Sequence, residues 1–134
     1  MLVAAVAVAG CGGGSDGKPS DETAARDVVT SFTKAFAAMD GDKACALLTP
    51  QAQAAFVERA RVATGSTRCP ETMQRVAQLA GSSVTDPLSK ASVGEVKVTG
   101  NTATTTLTAN GHSTPVTLSK ADGSWKLNGV PGVP

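Results

Sequence analysis

The spacing of the apolar residues changes once along this chain, near Val93, and that change sets the fold class. Before this point, apolar residues recur every three or four positions, which is typical of helices with one buried face. After it they alternate with polar residues, which is typical of strands with one buried face. Helices first and strands second favour an α+β fold in which the helices pack on one face of an antiparallel sheet. A chain of 134 residues has room for one such domain.

Capping residues mark the helices that the spacing predicts. Ser20 can cap a first helix, because Asp21 and Glu22 then lie in its first turn, where negative charge is favourable. Thr49 followed by Pro50 is a second start signal, since proline suits the first helical position. The stripe expected to be buried on the first helix is Ala25, Val28, Val29, Phe32, Ala35, Phe36 and Met39. The other predicted helices are residues 43–48, capped by Asp40-Gly41-Asp42, residues 51–63, with Ala55, Phe56 and Ala60 inward, and residues 70–79, closed by Gly81.

Turn signals divide the second half of the chain into four antiparallel strands. Asn110-Gly111 is the strongest short signal for a two-residue hairpin, and Gly100-Asn101 and Asp122-Gly123 predict two further turns. The side chains expected on the buried face are Val96, Val98, Ala103, Thr105, Leu107, Val116, Leu118, Trp125 and Leu127. The opposite face carries a row of threonines, Thr102, Thr104, Thr106 and Thr108. This row is expected either to be solvated or to line a polar groove or a protein contact. Asp86-Pro87 predicts a turn between the two halves.

The N-terminal segment has the features of an export signal. Residues 2–9 form an apolar run of roughly 8 residues, against about 20 for a membrane-spanning helix, and such a run is typical of a cleavable secretory signal. Val8-Ala9-Gly10-Cys11 resembles the lipobox of bacterial lipoproteins, in which the cysteine is diacylglycerylated and the signal is cut just before it. We therefore expect residues 1–10 to be a signal peptide and Cys11 to carry lipid. The Gly-rich residues 11–19 would be a flexible tether that holds the domain at the extracytoplasmic face of the cell membrane.

The signal departs from the usual pattern in one respect. No Lys or Arg precedes Cys11, whereas secretory signals begin with a positively charged region. We therefore expect the signal peptide to be truncated at its start. The alternative is a buried N-terminal strand with a free thiol, which the run of glycines after Cys11 disfavours because such a run behaves as flexible coil.

The three cysteines fit the same interpretation. If Cys11 is acylated, Cys45 and Cys69 remain as an even pair in an oxidising compartment, and we expect them to form a disulfide. That disulfide would stabilise the fold by roughly 3 kcal/mol in the chain-entropy model. The alternative is a reactive thiol or a metal pair, but no second Cys or His lies at ligand spacing from either residue.

Taken together, these segments resemble the nuclear transport factor 2-like superfamily, which has a cystatin-like cone fold. The resemblance covers residues 20–129 and is carried by the long first helix, by residues 40–50 (DGDKACALLTP) and by a meander that ends at residues 122–127 (DGSWKL). The chain is most similar to the small actinobacterial lipoproteins of that type. The resemblance implies a curved sheet that wraps around the first helix and leaves a pocket at its open end. It also implies a choice between isomerase- or cyclase-like enzymes and non-catalytic binding or accessory modules, because the superfamily contains both.

Few residues suit the proton-transfer chemistry of those enzymes. The chain has no Tyr and a single His, and this His112 is beside the predicted hairpin turn, where we expect it to be exposed. Asp40 and Asp42 are expected to cap helices, and Asp27 to lie on a solvated helix face. Trp125 is expected to anchor the core, with contact to a ligand as the alternative. No catalytic residue is therefore predicted.

Charge and motif content exclude several further classes of function. A formal net charge of +1 without a run of Lys or Arg argues against binding to nucleic acid. No set of metal ligands and no phosphate-binding glycine loop is present in the sequence, so no metal or cofactor is expected. The sequence predicts a membrane-anchored lipoprotein of the cell envelope whose non-catalytic domain binds a small apolar ligand or a partner protein. A small isomerase- or cyclase-like enzyme and a structural envelope protein remain the alternatives, and residues 130–134 are expected to be a tail.

Overall fold

The computed structural model describes residues 20–131 and confirms the predicted α+β fold, with helices followed by a curled antiparallel sheet. The helices are α1 (Asp21–Ala37), α2 (Gly41–Ala46), α3 (Pro50–Thr64), α4 (Cys69–Ala80) and α5 (Ser82–Ser89). The strands are β1 (Ser92–Val93), β2 (Lys97–Thr99), β3 (Thr102–Ala109), β4 (His112–Ala121) and β5 (Ser124–Leu127). The predicted signal peptide, Cys11 and the tether lie outside the described residues, as do residues 132–134.

The sheet is four strands wide, because β1 and β2 both pair with β3 and together occupy one edge. Between β1 and β2 the regular strand pairing is interrupted at residues 94–96. The Gly94 N–H still donates to the Thr106 carbonyl of β3, at 2.8 Å. The Gly94 carbonyl in turn accepts hydrogen bonds from Arg26 of α1 at 3.0 Å and from the Thr105 hydroxyl at 3.2 Å. The predicted single strand is therefore interrupted, and the interruption is where α1 is joined to the sheet edge.

The predicted helix starts are confirmed by their hydrogen bonds. The Ser20 hydroxyl accepts from the Thr23 N–H at 3.3 Å, and the Thr49 hydroxyl accepts from the Ala52 N–H at 3.1 Å. Asp40 accepts from the Lys43 N–H at 3.1 Å, so it caps α2 as expected, although that helix begins at Gly41 and not at residue 43.

Helix α1 packs against the sheet, where it contacts β1, β2, β3 and β5, and the other helices pack on α1 or on one another. The strands β3, β4 and β5 each have alternate side chains buried. Those buried side chains are Ala103, Thr105, Leu107, Val116, Leu118, Trp125 and Leu127, as predicted. The threonine row lies on the other face, where Thr102, Thr104 and Thr106 are exposed and Thr108 is half-buried. Three of the four threonines of this row are therefore accessible to solvent or to a partner.

Two residues that were predicted to be buried are exposed. Met39 is 38% exposed because α1 ends at Ala37 and Met39 itself takes a left-handed conformation, with φ of 59°, so it no longer follows the buried stripe. On α3, Ala55 is exposed although it was predicted to face inward, and Ala52 is buried together with Phe56 instead. Helices pack through i, i+4 pairs, and the 52–56 pair fits that spacing, whereas Ala55 next to Phe56 does not.

The predicted turn at Asp86-Pro87 is wrong, because both residues belong to α5. Proline in a helix interior usually removes a backbone hydrogen bond to the residue four positions earlier. Here that earlier residue is Ser83, which is exposed near the start of the helix, so its carbonyl can be hydrated instead. The short helix therefore tolerates Pro87, whose ring lies half-buried against the pocket described below.

At the end of the described chain, Val130 is only 8% exposed and belongs to the hydrophobic core, although it was predicted to begin the tail. Among residues 20–131, no helix combines the length and the apolar character needed to span a bilayer.

Candidate functional site

The predicted disulfide is present and joins α2 to the start of α4. The Cys45 and Cys69 sulfur atoms are 2.08 Å apart and the two Cα atoms 6.1 Å apart. Beside this bond the two backbones approach so closely that Gly41 lies directly against Pro70. The N-terminal end of α4 is therefore fixed to α2, and the C-terminal half of α4 extends from this fixed end to the pocket.

A pocket of about 380 Å³ opens where α1, α4 and α5 meet the β3–β4 hairpin. Its helical lining is Phe32, Thr33, Phe36, Val76, Ala80, Ser83, Val84, Pro87 and Leu88. The hairpin and the end of the described chain contribute Leu107, Ala109, Asn110, His112, Thr114, Val130 and Pro131. The volume lies within the range of roughly 300–1,000 Å³ that is typical of small-molecule sites.

The floor of this pocket is apolar and buried. Phe32 and Phe36 are 3% and 5% exposed and stack with their ring centroids 6.3 Å apart. Leu107 of β3 is also buried. The one polar side chain at this depth is Thr33, and its hydroxyl already donates to the Thr30 carbonyl at 2.9 Å. The floor therefore offers a ligand hydrocarbon contacts and no vacant hydroxyl donor.

The exposed lining residues form the mouth of the pocket, which is mainly polar but includes Val84, 41% exposed. Ser83, Asn110 and His112 line it and are exposed, and Thr114 behind them is half-buried. Among residues 20–131, His112 is the single lining residue with an ionisable side chain, and no Asp, Glu, Lys, Arg or Cys of this part of the chain lines the pocket.

Local sequence sets the position of the hairpin at the mouth. Asn110 and Gly111 have φ of 51° and 77°, which is the pattern of a type I′ turn and explains the need for Asn and Gly there. The turn pairs Ala109 directly with His112, so that both side chains emerge on the pocket side of the sheet. The predicted hairpin is confirmed, and His112 is exposed as predicted, but its place at the mouth of a pocket was not anticipated.

The wall of the pocket that α5 forms depends on the break between α4 and α5. Gly81 has φ of 70°, a left-handed conformation that glycine adopts without strain, and the chain turns there and starts a new helix. Val84 and Leu88, one helical turn apart on α5, line the pocket. Their i, i+4 spacing was the signal in the sequence that could have identified this helix.

The carboxylates considered from the sequence lie elsewhere. Asp27 and Asp42 are exposed, and Asp40 caps α2. None of the three lines the pocket. Within the part of the chain that the structure describes, no three His, Cys, Asp or Glu side chains come together as they would to hold a metal ion.

Trp125 is a core anchor and does not line the pocket. It is 5% exposed, and its indole Nε1 donates to Asp21 Oδ1 at 3.1 Å. Lys120 Nζ reaches the same oxygen at 2.9 Å. The hydrogen bond from Lys120, together with that from Trp125, lowers the pKa of Asp21 below its ordinary value. These contacts join the start of α1 to β4 and β5, and none of the three residues lines the pocket.

Comparison of the chain with protein-family models, with curated proteins and with solved structures yields no significant match in any of the three.

Proposed function

We propose that this protein is a lipid-anchored lipoprotein of the cell envelope and that its nuclear transport factor 2-like domain binds a small apolar ligand in the pocket. The observation that carries the binding function is the pocket itself, whose buried floor of Phe32, Phe36 and Leu107 presents hydrocarbon and aromatic surface to any occupant. Burial of apolar ligand surface against such side chains is favourable at roughly 25 cal/mol per Å². The lipobox at residues 8–11 supports the anchoring and the extracytoplasmic location.

A binding function is favoured over catalysis by the lining of the pocket. Isomerase- and cyclase-like chemistry needs a general base beside the substrate, and a carboxylate, histidine or tyrosine usually fills that role. Here no carboxylate of the described residues lines the pocket, and the chain has no tyrosine. An enzyme would have to rely on His112 alone, which is exposed at the mouth and away from the buried floor.

The binding proposal can be tested with one filled pocket and one matched control. Ala80 is half-buried at the end of α4 and lines the pocket, whereas Ala55 is exposed on α3 and does not. In a full chain that carries Cys11→Ser to prevent lipidation, we expect Ala80→Phe to weaken binding of the neutral fluorophore N-phenyl-1-naphthylamine by about tenfold or more, equivalent to 1.4 kcal/mol. Ala55→Phe should leave binding unchanged. Equal binding by both variants would refute the assignment of the pocket.

Native mass spectrometry of the same Cys11→Ser protein, purified from a bacterial host, would identify the natural ligand class. We expect a small-molecule adduct that is lost on unfolding. A clean apo mass, together with absence of fluorophore binding, would favour a partner protein or a structural role instead.

The anchoring proposal has a separate test. Intact-mass measurement of membrane-extracted protein should show a chain that begins at Cys11 and carries acyl groups, and Cys11→Ser should abolish both the acylation and the cleavage. An unmodified chain in the soluble fraction would refute lipid anchoring.

A further inference from the structure

The pocket has a polarity gradient from floor to mouth. Its aromatic floor lies between α1 and β3, and its polar side chains, Ser83, Asn110 and His112, are gathered at the opening. A purely apolar ligand would leave those polar side chains to solvent and would make no polar contact with them. A ligand with a hydrocarbon body and a polar end would satisfy both regions, because small-molecule sites combine a mostly apolar lining with a few placed polar groups.

The charges around the mouth favour one kind of polar end. Among residues 20–131, His112 is the single ionisable side chain in the lining, and it can only be neutral or positive. The β3–β4 segment from Leu107 to Thr114 contains no acidic residue. A negatively charged group at the mouth would therefore meet a histidine and none of the described carboxylates in the lining.

We propose that the ligand is an acidic amphiphile, of the chemical class of a long-chain carboxylic acid, whose chain lies on Phe32 and Phe36 and whose carboxylate lies at the mouth beside His112. This inference rests on the proposed binding function and adds the ligand class and the residue that selects it. Asn110 can donate a further hydrogen bond to the same carboxylate from the other side of the hairpin turn. A charged donor binds a carboxylate more strongly than a neutral one.

The test compares two probes that differ only at the head group, cis-parinaric acid and its methyl ester, at concentrations where neither aggregates. Both are titrated by fluorescence into the full Cys11→Ser chain at about pH 5.5 and about pH 8, on either side of the interval in which histidine side chains change charge. At the lower pH we expect the acid to bind about two- to fivefold more tightly than the ester, the range for a solvent-exposed ion pair. At the higher pH this preference should shrink.

Two variants test whether the preference for the acid over the ester depends on His112. His112→Gln keeps a hydrogen-bonding side chain of similar size without a titratable charge, and it should abolish the preference for the acid at the lower pH. Lys97→Gln removes one positive charge from β2, which pairs with the end of β3 remote from the hairpin turn, and it should leave the preference intact.

The outcomes separate this inference from the function on which it rests. If acid and ester bind equally well, or if His112→Gln retains the preference, the head-group inference is overturned while the apolar pocket stands. If neither probe binds, the proposed binding function fails as well.

Discussion

Substitution of Gly41 by alanine tests how closely α2 and α4 are packed beside the disulfide. A Cβ atom at position 41 would lie 2.1 Å from the Pro70 carbonyl oxygen and 2.8 and 2.9 Å from the Pro70 carbonyl carbon and Cα, whereas ordinary contact begins at 3.4 Å. The added methyl group therefore needs about 1.3 Å more space from backbone atoms that cannot rotate away. Cys69, which precedes Pro70, is bonded to Cys45 of the same short helix, so the two helices cannot separate freely.

Two opposing effects determine the magnitude for Gly41→Ala. Overpacking of a close contact costs typically about 1–3 kcal/mol, and contact with backbone places this case in the upper half of that range. Replacement of glycine by alanine in a helix usually stabilises by about 1 kcal/mol or less, and the gain is smaller at a first helical residue. We expect the cost of overpacking to exceed this gain, so that the free energy of unfolding falls by about 2 kcal/mol. For a domain of this size, that loss lowers the Tm by about 8 °C.

Urea denaturation followed by circular dichroism would measure this loss, with Gly129→Ala as the control. Gly129 has no atom within 4 Å of its would-be Cβ and no left-handed φ, so alanine there should be neutral or stabilise by up to about 1 kcal/mol through the unfolded state. If Gly41→Ala and Gly129→Ala are equally stable, the close approach of α2 to Pro70 is refuted.

Two further predictions concern the disulfide and the hydrogen bonds to Asp21. Replacement of both Cys45 and Cys69 by alanine should lower the free energy of unfolding by about 3 kcal/mol, measured by urea denaturation, and a loss below about 1 kcal/mol would show that packing alone joins α2 to α4. The hydrogen bonds from Lys120 and Trp125 lower the pKa of Asp21. The ionised carboxylate should therefore stabilise the fold at pH values well above 3.8, its ordinary pKa, and this contribution should be lost as the pH falls below that value. Asp21→Asn should therefore be less stable than the unmodified chain at neutral pH, and the difference should shrink in urea denaturation as the pH is lowered below 3.8. A difference that does not change with pH would contradict the role of the carboxylate.

The parts of the fold that could be predicted are those governed by local chemistry. Ser20 and Thr49 each have a side-chain oxygen that accepts a nearby backbone N–H, and this bond depends on residues three positions away, so the sequence alone reveals it. Asn110-Gly111 is similar, because few other pairs adopt positive φ at both positions of a tight hairpin. The disulfide followed from counting the cysteines once Cys11 was assigned to lipid.

The parts that could not be predicted depend on contacts between segments distant in sequence. Pro87 normally signals a break, and its acceptance in α5 depends on the helix being short and on an exposed Ser83 carbonyl. Gly41 was interpreted only as part of the cap of the second helix, although the reason for glycine there is the Pro70 backbone 29 positions further along the chain.

The pocket shows most clearly where sequence periodicity stops being informative. Phe32, Phe36 and Leu107 were correctly predicted to lie inward, but periodicity specifies only which face of an element turns away from water. It does not specify whether that face meets another side chain or an unfilled space. Here the difference depends on α5, because this short helix and the hairpin tip form the walls of the pocket and leave its centre open. The resemblance implied a pocket at the open end of the fold, but Asp86-Pro87 was predicted as a turn and Phe32 and Phe36 only as part of a buried stripe. That these phenylalanines line a pocket became clear only from the position of α5.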